Sequence, residues 1–143
     1  MIGAIIGDIV GSRFEWNNHR SKDFELLTPK CFVTDDSIMS LAIAEALMRA
    51  KPDFSDLSAQ AVRCMQEVGR PYPDCGYGGR FLGWMYADDP QPYHSFGNGA
   101  AMRVSACGLA AKSSTSTAPA RAISWTPSAA RRGPRSASLT ATK

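Results

Sequence analysis

Periodic apolar segments separated by polar, glycine- or proline-bearing connections fill the first 111 residues, which is typical of a helix-rich domain. The first segment, Ile2–Val10, is apolar apart from Asp8 and predicts a helix. A buried strand is the alternative for so short a run, and a phosphate-binding loop is disfavoured because no Gly-Lys-Ser/Thr follows Gly11. On a helix, glycines four residues apart would share a face that another backbone could approach closely, namely Gly3, Gly7 and Gly11.

Three longer helices are predicted further along the chain. One covers Thr34–Ala50, and we expect its apolar face to carry Ile38, Leu41, Ala42, Leu47 and Met48. The second covers about Asp56–Val68, with Ser55 as the expected N-cap and Gly69 as the stop. The third covers Ala100–Ala111. Glycine- and proline-rich loops connect these segments.

Charge divides the chain near residue 112. The net charge is +3, but six of the 16 basic residues and none of the 13 acidic residues lie at 112–143, so residues 1–111 carry a net charge of −3. An acidic body argues against a nucleic-acid partner. The segment 112–143 is rich in Ser, Thr, Ala, Pro and Arg, and we expect it to be disordered. Its abrupt change of composition also fits translation in a shifted reading frame, a hypothesis that only the coding DNA can test.

Cysteine spacing and hydropathy restrict the cellular setting. The cysteines are far apart, without a CxxC pair, and we expect free thiols that are mostly buried: Cys31, Cys64, Cys75 and Cys107. No apolar run reaches the roughly 18 to 20 residues of a membrane-spanning helix, and Met1–Gly11 lacks the features of a secretory signal. We therefore expect a cytoplasmic protein without a membrane partner.

Acidic residues supply the most suggestive chemistry. Thr34, Asp35 and Asp36 place a hydroxyl and two carboxylates at a helix start, as a Mg²⁺ or Mn²⁺ site requires, although capping of the helix is the alternative. Asp8 lies in an apolar segment, where an acid is costly without a partner; a metal, a capping role or an arginine would satisfy it. Glu15 follows shortly after.

Two glycine-rich loops could present backbone N–H groups and a neighbouring arginine to a phosphate-bearing ligand. They are Gly76–Arg80 and Ser95–Arg103. No role is assigned to the two histidines. The aromatic side chains between the loops are expected to be core rather than a stacking platform: Phe81, Trp84 and Tyr86.

Taken in order, four motifs in residues 1–111 resemble the ADP-ribosylglycohydrolase family. They are Gly7-Asp8-Ile9-Val10-Gly11 with Glu15, Thr34-Asp35-Asp36-Ser37, Tyr77-Gly78-Gly79-Arg80, and Ser95-Phe96-Gly97-Asn98-Gly99-Ala100-Ala101-Met102-Arg103. The resemblance implies an all-α orthogonal helical bundle with a binuclear Mg²⁺ or Mn²⁺ centre. It also implies a hydrolase that removes ADP-ribose from modified arginine or serine side chains or related acceptors.

The same resemblance implies roles for individual residues. Thr34, Asp35 and Asp36 would be metal ligands, and Glu15 would be an acid at the metal centre, with Asp35 and Asp36 sharing in catalysis. The ADP-ribose would contact Gly78, Gly79, Arg80, Ser95, Gly97, Asn98 and Gly99. The implied partner is an ADP-ribosylated protein or a small molecule that contains ADP-ribose.

The chain departs from the family pattern after residue 111. Family members are longer, with a His-containing motif and a later Asp-x-Asp-Thr/Ser cluster that completes the metal site, and we find neither at 112–143. We therefore expect a partial domain at 1–111, with exposed apolar surface, weak metal binding and little or no hydrolase activity. The alternatives are a non-catalytic module that binds ADP-ribose or a nucleotide, and a protein whose basic tail binds nucleic acid.

Overall fold

The computed structural model describes residues 1–113, which fold into six α-helices and a short 3₁₀ helix without a strand. The α-helices are α1 (Ile2–Gly11), α2 (Asp35–Arg49), α3 (Leu57–Gly69), α4 (Gly79–Tyr86), α5 (Gly99–Met102) and α6 (Ser105–Ser113); the 3₁₀ helix is Ser12–Phe14. This confirms the predicted all-α class. Because α6 runs to Ser113, the boundary expected at residue 112 falls within a helix; the rest of the segment predicted to be disordered lies outside the described residues.

The core forms where α2 packs against α3 and α6. The side chains that α2 buries there are Ile38, Met39, Ala42, Ile43 and Ala46. The apolar face predicted for α2 is therefore partly wrong, since Leu41 is 44% exposed and Met48 is 79% exposed. Apolar residues occur on most sides of this helix, so periodicity alone does not show which of two overlapping faces is buried. The positions of α3 and α6 determine the buried face.

The start of α3 also differs from its prediction. The N-cap is Asp56 rather than Ser55, whose N–H and hydroxyl instead bond the Asp53 carboxylate. Phe54 has a positive φ of 56°, which turns the chain just before the helix. The stop at Gly69 is confirmed, because it is the last residue of α3.

The helix predicted over Ala100–Ala111 is interrupted and forms α5 and α6. Arg103 ends α5, and its side chain folds back so that Nε donates to the carbonyl of Gly99. Beyond this break α6 packs against α2 through buried Ala106 and Cys107.

The aromatic side chains of α4 only partly follow their predicted core role. Trp84 is 8% exposed and stacks on Phe81, whose ring packs against the core. Tyr86 is half-exposed, and its hydroxyl donates to the carbonyl of Arg70. The core interpretation therefore holds for the first two rings and is wrong for the third.

The glycine face of α1 does not meet another backbone among residues 1–113. A Cβ at Gly3, Gly7 or Gly11 would have nothing within 4 Å, and no residue of α1 is buried. Ile2 and Ile6 are 75% and 53% exposed. The expected close approach is therefore wrong for the described part of the chain, because no element packs on this face. In this region no helix combines the length and apolar character needed to cross a membrane.

Candidate active site

An open cleft of about 400 Å³ lies between the end of α1, the start of α2 and the segment that leads into α5. Three separate stretches of sequence therefore supply its walls. The polar side chains that line it belong to Asp8, Ser12, Glu15, Thr34, Asp36, Ser40 and Asn98.

Asp8 joins the wall from α1 to the wall from α2. Its carboxylate accepts hydrogen bonds from the backbone N–H groups of Thr34, at 3.1 Å, and Ser37, at 3.3 Å, and from the Thr34 hydroxyl. Free N–H groups at a helix start favour such a negative partner. The capping role considered for Asp8 is therefore confirmed.

Thr34 is the N-cap of α2, since its hydroxyl oxygen accepts a hydrogen bond of 3.3 Å from the N–H of Asp36. Its hydroxyl proton is donated to Asp8. A hydroxyl oxygen has two lone pairs, so one remains available to a cation. The capping interpretation is therefore confirmed for Thr34, and it does not conflict with a role as a metal ligand.

Asp35 lies near other acidic side chains. Its backbone N–H donates to the carbonyl of Cys75 at 2.7 Å, which fixes the start of α2 against the first glycine-rich loop. Burial, with repulsion from Asp36, Glu15 and Asp8, raises the pKa of the Asp35 carboxyl to about 6.

Asp36 experiences a similar field but has a basic neighbour. Burial and repulsion from Asp8 raise the pKa of its carboxyl, while the charge of Arg103 acts in the opposite direction. The start of α2 therefore concentrates negative charge that a divalent cation would neutralise.

The first glycine-rich loop lies against this acidic end. Gly76 has a φ of +92°, and a Cβ there would lie 3.6 Å from Oδ1 of Asp35. Tyr77 packs against the core, and its buried hydroxyl has no hydrogen-bond partner among residues 1–113. Burial, together with the charges of Cys75 and Asp35, raises the pKa of Tyr77 well above its usual range.

Arg80, at the end of the first glycine-rich loop, contacts the two residues that precede the second glycine-rich loop. Its guanidinium lies 5.7 Å from the centre of the Tyr93 ring and donates to the carbonyl of His94 at 3.3 Å. Gly78 and Gly79 begin α4, and a Cβ at either would meet open space. These three predicted substrate-binding residues lie outside the cleft wall but have a backbone that a ligand could approach.

The second glycine-rich loop contributes one of the predicted ADP-ribose-binding residues to the acidic cleft, since Asn98 lines it. Ser95 shapes the turn, because its hydroxyl accepts a hydrogen bond of 3.1 Å from the N–H of Gly97. Gly99 opens α5. Of the seven residues expected to bind ADP-ribose, the structure thus places one beside Asp36 and Glu15.

Two serines near the site received no role from the sequence, and Arg103 was considered only as the arginine next to the second glycine-rich loop. The Ser40 hydroxyl donates to the carbonyl of Met102 at 3.3 Å and so ties α2 to the end of α5. The Ser12 hydroxyl accepts from the N–H of Phe32 at 3.1 Å. Arg103 lies within the fourth motif. One sequence signal could have pointed to such residues. A hydroxyl or a charge inside an otherwise apolar helical segment is costly unless it has a structural or functional partner.

The donors around the cleft match Mg²⁺ or Mn²⁺ in kind but not in number. Carboxylate and hydroxyl oxygens are the hard ligands that these ions prefer. Within residues 1–113, however, no three His, Cys, Asp or Glu side chains are grouped closely enough to hold a metal ion. The described part of the chain therefore offers a partial ligand set.

The comparison with protein families decides the affiliation. The model of the ADP-ribosylglycohydrolase family matches residues 1–140. The chain belongs to the ADP-ribosylglycohydrolase family. At the family level this makes it a hydrolase of ADP-ribose linkages. The match extends beyond Arg103, where the last of the four ADP-ribosylglycohydrolase motifs ends, and beyond residue 111. No solved structure matches the chain.

Proposed function

We propose that this ADP-ribosylglycohydrolase uses a divalent cation, Mg²⁺ or Mn²⁺, to remove ADP-ribose from modified protein side chains. The observation that carries the proposal is the cleft itself. It gathers Asp8 and Glu15 from the first motif, Asp36 from the second and Asn98 from the fourth.

The cation would be held by Thr34, Asp35 and Asp36. Thr34 retains a free lone pair. Burial, together with like-charge repulsion, raises the pKa of both carboxyls, and a bound cation would relieve the repulsion. When bound, such ions polarise substrate oxygens and make a bound water more acidic.

The chain's own residues would position the substrate and move a proton. Glu15 is exposed and lines the cleft, so its carboxylate can accept a proton from water. The Asn98 amide, which also lines the cleft, can hydrogen-bond a ribose hydroxyl. Arg80, with the open backbone at Gly78 and Gly79, can attract the pyrophosphate.

We expect this chain to bind the cation weakly and to turn over little or no substrate. The affinity of hard cations depends on ligand number and charge, and residues 1–113 do not provide three grouped acidic, His or Cys ligands. Of the two other acids that line the cleft, Asp8 already caps α2 through three hydrogen bonds.

The partner we propose is an ADP-ribosylated protein or a small molecule that contains ADP-ribose, in the cytoplasm. The four cysteines are free thiols, which suits a reducing compartment. The net charge of −3 in residues 1–111 disfavours nucleic acid as a partner of the folded part.

A non-catalytic ADP-ribose-binding module is the second candidate. It is favoured by Arg80, which donates to the carbonyl of His94, just before the second glycine-rich loop, and is not among the residues that line the acidic cleft. Such a module would bind ADP-ribose equally well with and without EDTA.

Release of ADP-ribose from modified arginine and serine peptides, followed by chromatography with added Mn²⁺, tests the proposal. We expect little or no release from this chain, and any release should be abolished by both EDTA and Glu15→Gln. Release that persists in EDTA, or saturable ADP-ribose binding that ignores EDTA without any release, would reject it; the second result would establish the module.

A further inference from the structure

Arg103 joins three helices beside the acidic cleft. Its Nε donates to the carbonyl of Gly99, at the start of α5, and its Nη1 donates to the sulfur of Met65 in α3. The guanidinium carbon lies 4.9 Å from the centre of the Phe81 ring in α4. The second glycine-rich loop is thereby attached to the packed part of the molecule through one side chain.

Gly99 leaves the space that this guanidinium occupies. A Cβ at position 99 would lie only 2.9 Å from Nη2 of Arg103, so any other residue would displace the arginine. The resemblance to the family assigned Gly99 to the ADP-ribose. Its clearance for Arg103 is a separate, structural reason for glycine at this position.

Neither ion pair found in residues 1–113 includes Arg103, since both are made by Arg49. The contacts of Arg103 with Gly99, Met65 and Phe81 are therefore not accompanied by an ion pair in this region.

We propose that Arg103 is a positioning residue that anchors the second glycine-rich loop by holding the Gly99 carbonyl against α3 and α4. The anchoring rests on the described contacts alone. Its effect on ligands rests on the proposed function.

Hydrogen exchange tests the anchoring without any ligand. The N–H groups of Ala101 and Met102 bond the carbonyl of Asn98, so they report on the loop. In Arg103→Lys, which keeps the charge but loses the planar guanidinium contacts, we expect their exchange to become about tenfold faster. Exchange in α2 and α3 should not change.

The matched control is Arg49→Lys, because Arg49 is exposed and bonds Glu45 and Glu67. It should leave exchange at Ala101 and Met102 unchanged. Unchanged exchange in Arg103→Lys, or faster exchange throughout the molecule, would overturn the anchoring.

Calorimetric titration with Mn²⁺ and ADP-ribose separates positioning from a general loss of structure. In Arg103→Gln we expect Mn²⁺ binding to stay close to that of the unmodified chain, because the contacts described for Arg103 do not include the proposed metal ligands. ADP-ribose should bind about tenfold more weakly, because the loop is no longer held. Arg103→Lys should weaken ADP-ribose binding alone.

A variant that merely unfolds the site would weaken both ligands. Weaker Mn²⁺ binding, or unchanged ADP-ribose binding, by folded Arg103→Gln would therefore overturn the positioning role. If the unmodified chain binds neither ligand, the proposed function and the ligand effects that rest on it both fail, and hydrogen exchange still decides whether Arg103 anchors the loop.

Discussion

The Asp8 carboxylate accepts hydrogen bonds from both the backbone N–H and the side-chain hydroxyl of Thr34, 26 residues later in the chain. It also accepts from the N–H of Ser37. Because α1 has no buried residue, this polar junction is a principal attachment of α1 to α2. The acid of the first motif therefore shapes the cleft by holding two of its walls together.

Asp8→Ala should destabilise the chain by about 2 kcal/mol, because three donors at the start of α2 lose a charged acceptor. Urea unfolding followed by circular dichroism measures the change. Asp89→Ala removes an exposed acid and should have little effect. Equal stability of the two variants would contradict the capping role of Asp8.

Asp35 should make the metal-free chain less stable as pH rises from about 4 to 6. Its pKa is raised from 3.8 to about 6 in the folded state, so the folded state binds the extra proton in this range and loses that advantage at higher pH. Thermal melts of the wild-type chain and Asp35→Asn across this range provide the test. Asp35→Asn should melt higher at pH 7, and the gap should shrink towards pH 4; a constant gap would refute the raised pKa.

Gly69→Ala should destabilise the chain by about 1 to 3 kcal/mol. A Cβ there would lie 2.3 Å from the sulfur of Met85 and 2.9 Å from Cε of Met39, and both methionines are fully buried. Chemical denaturation measures the loss.

Gly83→Ala is the matched control in α4, because a Cβ at Gly83 meets nothing within 4 Å. It should stabilise the chain by about 0.5 to 1 kcal/mol, as expected for glycine replaced in an exposed helix. If Gly69→Ala and Gly83→Ala change the free energy of unfolding in the same direction, the proposed clash at Gly69 is contradicted.

The sequence was sufficient for the elements that local pattern controls. The helices α1, α2 and α3 were predicted from apolar periodicity and helix-forming residues. The buried face of α2 was partly mistaken at Leu41 and Met48, because burial depends on which neighbours the helix meets. The break at Arg103 was missed for a similar reason: it involves contacts with Met65 and Phe81 that are distant in sequence.

In the candidate site, too, local features were predictable from the sequence and contacts between distant segments were not. Four motifs indicated the family and its acids, but spacing did not indicate that Asp8 would cap α2 or that Asn98 would line the same cleft as Glu15. Both relationships depend on how α1 and α5 are placed against α2. Residues close in sequence, such as Thr34 and Asp36, could be interpreted in advance because helix geometry alone fixes their arrangement.

The most direct test of the proposed metal-dependent site is calorimetric titration of the folded chain with Mn²⁺ in the presence of ADP-ribose. We compare wild type with Asp35→Asn/Asp36→Asn and with Asp88→Asn/Asp89→Asn, which changes an adjacent acidic pair on the exposed surface. We predict weak binding, roughly millimolar, that is lost in the first double variant and retained in the second. No binding by the folded wild type, or equal binding by all three proteins, would contradict the account.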